Sequence, residues 1–159
     1  MMANTIQRAR RHILCFNHNL SDDLVAQEVR IPWADSTEQV TTGTKNAHTC
    51  LYPMRLLKFG IKPEDGLVNN FSIQVKLSSI AGTGGAGGDA ITIIASATAG
   101  PFGPYPGGDW KLIQVATADF DADPYVAENL DAVISMRPNT DTGGGSQDYF
   151  ITSYWEMFL

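Results

Sequence analysis

The chain has 159 residues, 43% of them hydrophobic, and a net charge of −6. That is enough apolar material for one domain with its own core and argues against a disordered polymer. Lys/Arg and Asp/Glu number 9 and 7 over residues 1–77 (+2) but 2 and 10 over residues 78–159 (−8), so the second half is a poor surface for nucleic acid.

Taken in chain order, residues 1–24 read as an N-terminal arm and first strand, and residues 25–159 as a sandwich domain. The arm carries Arg8, Arg10 and Arg11 with no acid before Asp22. The apolar stretch from Ile13 to Phe16 is too short for a secretory core, so a signal peptide is not expected. No run approaches the ~18 apolar residues of a membrane-spanning helix. His12–Asn17 reads as a strand, and Val25, Val29, Ile31 and Trp33 alternate with more polar residues. Met54–Ile61 is a third apolar run. Phe71, Ile73, Val75 and Leu77 alternate with Ser72, Gln74, Lys76 and Ser78, the pattern of a strand with one buried and one wet face. Ile91–Ala97 is almost continuously apolar or small, which predicts a central strand covered on both faces. Trp110–Ala116, Ala132–Met136 and the alternation Tyr149, Ile151, Ser153, Trp155, Met157 complete the set.

Breakers separate these runs. Gly60–Gly66 is a turn, and Gly82–Asp89, Gly100–Gly108 and Thr142–Ser146 are glycine-rich loops, the second stiffened by three prolines. Helix is scarce. Asp123 as cap and Pro124 at the first helical position predict one turn running to Asn129, and a weaker turn is expected at Ser21. Eight or so strands with such loops predict an all-β fold, a single antiparallel β-sandwich of jelly-roll type.

The candidate chemistry is thin. Gly82–Asp89 lacks the Gly-Lys-Ser/Thr ending of a phosphate loop and closes on Asp89. Asp119, Asp121 and Asp123 open like a calcium loop, but Pro124 and Leu130 stand where the glycine and glutamate of an EF-hand belong. His12, Cys15, His18, His48 and Cys50 would have to converge from two segments to hold zinc, and His12 and Cys15 point to opposite sides of a strand. Cys15 and Cys50 both sit among apolar neighbours and read as buried, reduced thiols. There is no Gly-x-Ser-x-Gly elbow. The reading is therefore of a non-enzyme without metal or cofactor. Trp33, Trp110 and Trp155 are expected in the core. Phe102 and Tyr105 are expected on a rigid loop tip that touches a partner. Arg8, Arg10 and Arg11 are expected to pair with acidic groups, the C-terminal half of another copy being one source.

A short polar arm, one acidic β-sandwich and Gly/Pro-rich loops make the chain resemble the decoration, or cement, proteins of tailed-bacteriophage heads. The resemblance implies a structural protein on the outer capsid surface of the virion, made in the host cytoplasm. It implies the major capsid protein and copies of itself, as a homotrimer, as partners, with no nucleic acid or membrane. The alternative is a carbohydrate- or receptor-binding module, as at a fibre tip. There Phe102, Tyr105 and Trp110 would stack on sugar and Asp109 would accept hydroxyl hydrogen bonds. A carbohydrate-active enzyme would need two facing carboxylates, and the acids here cluster in turns.

Overall fold

The structure is a computed structural model that describes residues 11–21, 28–31, 33, 47–63, 71–80, 91–102, 113–139 and 148–159. Its strands are β1 (Arg11–Ser21), β2 (Val29–Arg30), β3 (His48–Thr49), β4 (Met54–Pro63), β5 (Phe71–Ile80), β6 (Ile91–Phe102), β7 (Ile113–Ala116), β8 (Tyr125–Val126), β9 (Asp131–Pro138) and β10 (Asp148–Phe158). One turn of 3-10 helix, Thr117–Asp119, follows β7.

The strands form two five-stranded antiparallel sheets, one ordered β1-β10-β4-β7 with β8 on β4, the other β2-β9-β5-β6 with β3 on β9. Setting the short β3 and β8 aside, the first strand pairs with the last and the second with the last but one. The β5–β6 hairpin ends the second sheet, with Ile80 opposite Ile91. This is the order of a jelly roll. The strand that the sequence groups with the arm is a full member of its sheet, paired with β10 from Arg11↔Phe158 to Ser21↔Asp148.

Period two decides which side chains enter the core. Tyr149, Ile151, Ser153 and Trp155 of β10 point inward beside Leu56, Phe59 and Ile61 of β4. They meet Ile73, Val75 and Leu77 of β5 and Ile134 and Met136 of β9 from the other sheet. Trp33 and Trp155 both lie in this core, with ring centroids 5.3 Å apart. Leu56 is fully buried, so Leu56→Ala is expected to cost about 2–5 kcal/mol. A bulge at Leu57, between the pairs Tyr154↔Lys58 and Trp155↔Leu56, returns β4 to inward phase.

Four expectations are corrected. Ile91–Ala97 belongs to β6, which is an edge strand rather than a central one, and Ile91 and Ile93 are exposed. The central strand with a continuous buried run is β9, where Ala132 to Met136 are all enclosed between β5 and β2/β3. The helical turn after Asp123 is instead β8. Pairing with β4 seats Val126 opposite Met54 in the core, and the Pro124 carbonyl accepts the Leu56 N–H at 3.0 Å. The chain then turns at Asn129, whose φ of 63° is one that asparagine tolerates. Cys15 is exposed, because odd positions of β1 face outward while Leu14, Phe16 and His18 face the core. Finally, among the described residues of the alternation over Val25–Trp33, ladder forms only at Val29–Arg30, although Val29, Ile31 and Trp33 are all buried. Ser21 ends β1, and residues 22–27 lie outside the described part.

Candidate interaction surfaces

The acidic turn that follows β7 is held together by its own carboxylates. Asp119 Oδ2 accepts the Ala116 N–H at 2.7 Å. Asp121 accepts both the N–H and the hydroxyl of Ser96 at 2.7 Å, and its own N–H donates to the Ser96 carbonyl at 2.9 Å. Chiefly because of the Ser96 N–H, the Asp121 carboxyl is held below its ordinary range. Asp123 receives Nε and Nη2 of Arg55 at 2.8 and 2.9 Å, a two-pronged pair that raises the guanidinium pKa further. The three acids thus aim at three separate partners, and Asp123 caps no helix.

The imidazoles of His18 and His48 both flank the Trp33 ring, with centroids 5.3 and 4.8 Å from it, and each has its own neighbours. His18 Nε2 lies 2.9 Å from Ser153 Oγ, which accepts the Trp155 indole N–H at 2.9 Å as well. His48 stacks on Trp33 with centroids 4.8 Å apart, and Phe16 meets Trp33 edge-on at 5.2 Å. Burial lowers the His48 pKa, against the opposing charge of Asp131. Burial pushes the Cys50 thiol up to about 11. Both cysteines are free. Among the described residues no group of three or more His, Cys, Asp or Glu gathers as a metal site.

Most of the sequence-predicted contact residues lie beyond what the structure describes. Arg8, Arg10, Tyr105, Asp109 and Trp110 lie outside the described residues. Arg11 opens β1 opposite Phe158. Phe102, expected at a loop tip, instead ends β6 opposite Phe71 and packs against the core. The strand reaches that far because Gly100, at φ 128°, accommodates a bulge between the pairs Ile73↔Ala99 and Phe71↔Phe102.

The exposed apolar residues lie elsewhere. On the outward face of the first sheet, Ile13 (56% exposed), Phe150 and Tyr154 (41%) stand with Cys15 and the lysines Lys58 and Lys62. Ile13, Leu57, Lys58, Gln114 and Tyr154 line a shallow groove of about 450 Å³ on this face. A second apolar cluster covers the end of the sandwich where β4 starts and β10 stops. Leu51 (69%), Tyr52, Tyr125 and Leu159 are exposed there. The Phe158 N–H donates to the Pro53 carbonyl at 3.0 Å, and Tyr125 meets the Phe158 ring at 5.8 Å. Arg55 lies over the same ring at 5.2 Å.

The outward face of the second sheet is polar. Arg30, Ser135 and Lys76 lie in register across β2, β9 and β5. Glu28 bridges them, accepting from Ser135 Oγ at 2.9 Å and from Lys76 Nζ. Burial alone would raise the Glu28 carboxyl, but these hydrogen bonds and the charges of Lys76 and Arg30 outweigh it and leave the pKa lowered. Further along, Ser72, Gln74, Thr98, Arg137, Pro138 and Asn139 line a polar groove of about 380 Å³. Sequence reasoning missed both apolar clusters. For the end cluster the available signal was Leu51-Tyr52-Pro53, three apolar residues in a row closed by a proline and so out of step with a half-buried strand.

No protein-family model matches the chain, and no curated protein sequence matches it. Among solved structures, it is similar to the infectious bursal disease virus Gx strain structure at 10% identity and a TM-score of 0.44, over 96% of this chain and 33% of that one. The Gt strain structure matches at 9% and 0.44, over 94% and 33%. The CBM22-1–GH10 modules of Clostridium thermocellum xylanase 10B, complexed with xylohexaose, match at 8% and 0.34, over 91% and 26%. The chain therefore spans about a third or less of these proteins, and none of their activities passes to it. Among the described residues no helix is long and apolar enough to cross a membrane.

Proposed function

We propose that this chain is a structural virion protein that decorates and stabilises a capsid, through contacts with the major capsid protein and with copies of itself as a homotrimer. Its place is the outer capsid surface, reached from the host cytoplasm during assembly. The observation that carries this reading is the outward face of the first sheet. A face turned to water alternates apolar-in with polar-out, yet Ile13, Phe150 and Tyr154 stand exposed on it. Exposed apolar groups gathered on one face mark a contact surface. The jelly roll is shared by capsid and lectin domains, so the fold is compatible with this role and the exposed face is what supports it.

The test is co-sedimentation with capsids assembled without this protein. The full chain is expected to pellet with them, and a variant combining Ile13→Asp with Tyr154→Asp is expected to stay in solution. A full chain that never pellets ends the capsid reading. A variant that pellets as well as the parent ends the assignment of this face.

One observation favours a second reading, a carbohydrate- or receptor-binding module. Tyr154 offers an aromatic surface beside the polar heads of Gln114 and Lys58 in one groove, an arrangement able to stack on a sugar and hydrogen-bond its hydroxyls. A glycan array on which the parent binds and Tyr154→Ala does not would move the assignment there.

A further inference from the structure

We infer that the apolar, acidic end of the sandwich is a docking site for the N-terminal arm of a second copy of this chain, residues 1–11. This deepens the assembly reading and rests on its premise that copies meet.

The end combines two chemistries. Leu51, Tyr52 and Tyr125 supply exposed apolar surface. Around them stand carboxylates. The exposed Glu128 lies on the turn whose Asn129 N–H donates to the Cys50 carbonyl at 2.8 Å, next to Leu51. Asp123, already paired with Arg55, flanks Tyr125, and the half-buried Asp131 lies at the start of β9, its Oδ1 accepting from Thr49 at 2.7 Å. The arm has the complementary composition. It holds Arg8, Arg10 and Arg11 with no acid, and in extended form Ile6, Arg8 and Arg10 share one side. An apolar group followed by two guanidiniums matches a surface of tyrosine and leucine edged with carboxylates, which guanidinium forks bind well.

The sequence of the arm suits a partner in another molecule. Arg11, the first residue of β1, is paired with Phe158 at the rim of this end, and residues 1–10 lie outside the described part. Tight reversals draw on Gly, Pro, Asn and Asp, and the stretch 5–10 (Thr-Ile-Gln-Arg-Ala-Arg) contains none of them. An arm that continues outward for ten residues reaches at most about 35 Å, far enough to lie across the same end of a neighbour. Repeated around a symmetry axis, the contact closes a ring.

The experiment measures native mass by light scattering on the full chain, free of capsids. The parent is expected to associate, with its association weakened about tenfold or more when salt is raised to about 0.5 M. An arm variant (Arg8→Glu with Arg10→Glu) and an end variant (Leu51→Asp with Tyr52→Asp) are each expected to be monomeric with the circular dichroism of the parent. Glu128→Lys serves as a second end variant should the double change impair folding. Mixing the two classes restores a complex, because the end variant keeps an intact arm and the arm variant an intact end. A monomeric parent, variants that still associate, or a mixture that stays monomeric overturns the proposal. A monomeric parent would also remove the homotrimer from the proposed function, variants that still associate would remove only the arm contact, and capsid co-sedimentation tests the capsid contact independently of both.

Discussion

Asp121 and Ser96 are joined by three hydrogen bonds: the carboxylate takes both donors of the serine, and the serine carbonyl takes the Asp121 N–H. The aspartate follows the last turn of one sheet and the serine lies on the edge strand of the other, so the clamp ties β6 across the open side of the sandwich. Asp121→Ala is expected to raise amide exchange at Ser96 and its neighbours on β6 while leaving β9 protected, as read by hydrogen-exchange NMR. With all three acids of the turn committed to separate partners, millimolar calcium is expected to leave the melting temperature unchanged. A calcium-dependent rise would mean that the turn rearranges around the ion.

Ser153 is fully buried between two ring nitrogens, and its Oγ is the meeting point of Trp155 Nε1 and His18 Nε2. Ser153→Ala removes the hydroxyl from both and takes away the acceptor of the buried Trp155 indole N–H. A buried polar group that loses its hydrogen bond costs about 1–3 kcal/mol, so a loss of about that size is expected in urea unfolding at neutral pH, with an unchanged m-value. A loss under about 0.5 kcal/mol would show that the hydroxyl does not anchor the rings.

Much of the fold was legible where one face of a strand is buried and the other is wet. Phe71–Ser78 and Tyr149–Met157 advertise their faces by alternation, and both are long strands in the structure. What alternation does not encode is the neighbour. Ile91–Ala97 and Ala132–Met136 are both apolar runs, and only pairing makes the first an edge and the second a centre. Local capping signals at Asp123-Pro124 lost to a tertiary contact, since β4 offered Val126 a ladder and a core position. The surface proposed for contacts was the least legible part. An exposed Tyr125 or Leu51 looks in sequence like any other core residue, and the arginines that drew attention, Arg8 and Arg10, lie outside the described residues.

Acid should weaken the fold first through His48 and then through the carboxylates Glu28 and Asp121, which the fold holds below their ordinary range. His48 has a pKa below its ordinary 6.5 because it is buried. A base depressed in the folded state binds fewer protons there than when unfolded, so its contribution is complete above pH 6.5 and is lost as pH falls through the folded value. Glu28 has a pKa below its ordinary 4.5, so its contribution is complete above that value and is lost only at more acidic pH. Melting temperature against pH should therefore show a first decline starting near 6.5 and a second starting near 4.5. His48→Phe, which keeps a ring against Trp33, is expected to remove the first decline and leave the second. An unaltered first decline would assign it to another histidine.

Cys15 provides a native reporter of whatever covers the first sheet. It is exposed directly opposite Tyr154 on the outward face, whereas Cys50 is enclosed and its thiol pKa is about 11. At pH 8 a disulfide reagent should modify one thiol quickly and the other only as the protein opens, because the thiolate is the reacting form and access is required. If that face seats on a capsid, Cys15 should become at least about tenfold slower to react in the assembled particle, while its rate in the free chain stays fast. Labelling Cys15 with a bulky maleimide beforehand should block assembly for the same reason. Equal rates in free and assembled states would place the capsid contact on another surface, leaving the Tyr154 groove open for a small ligand such as a sugar.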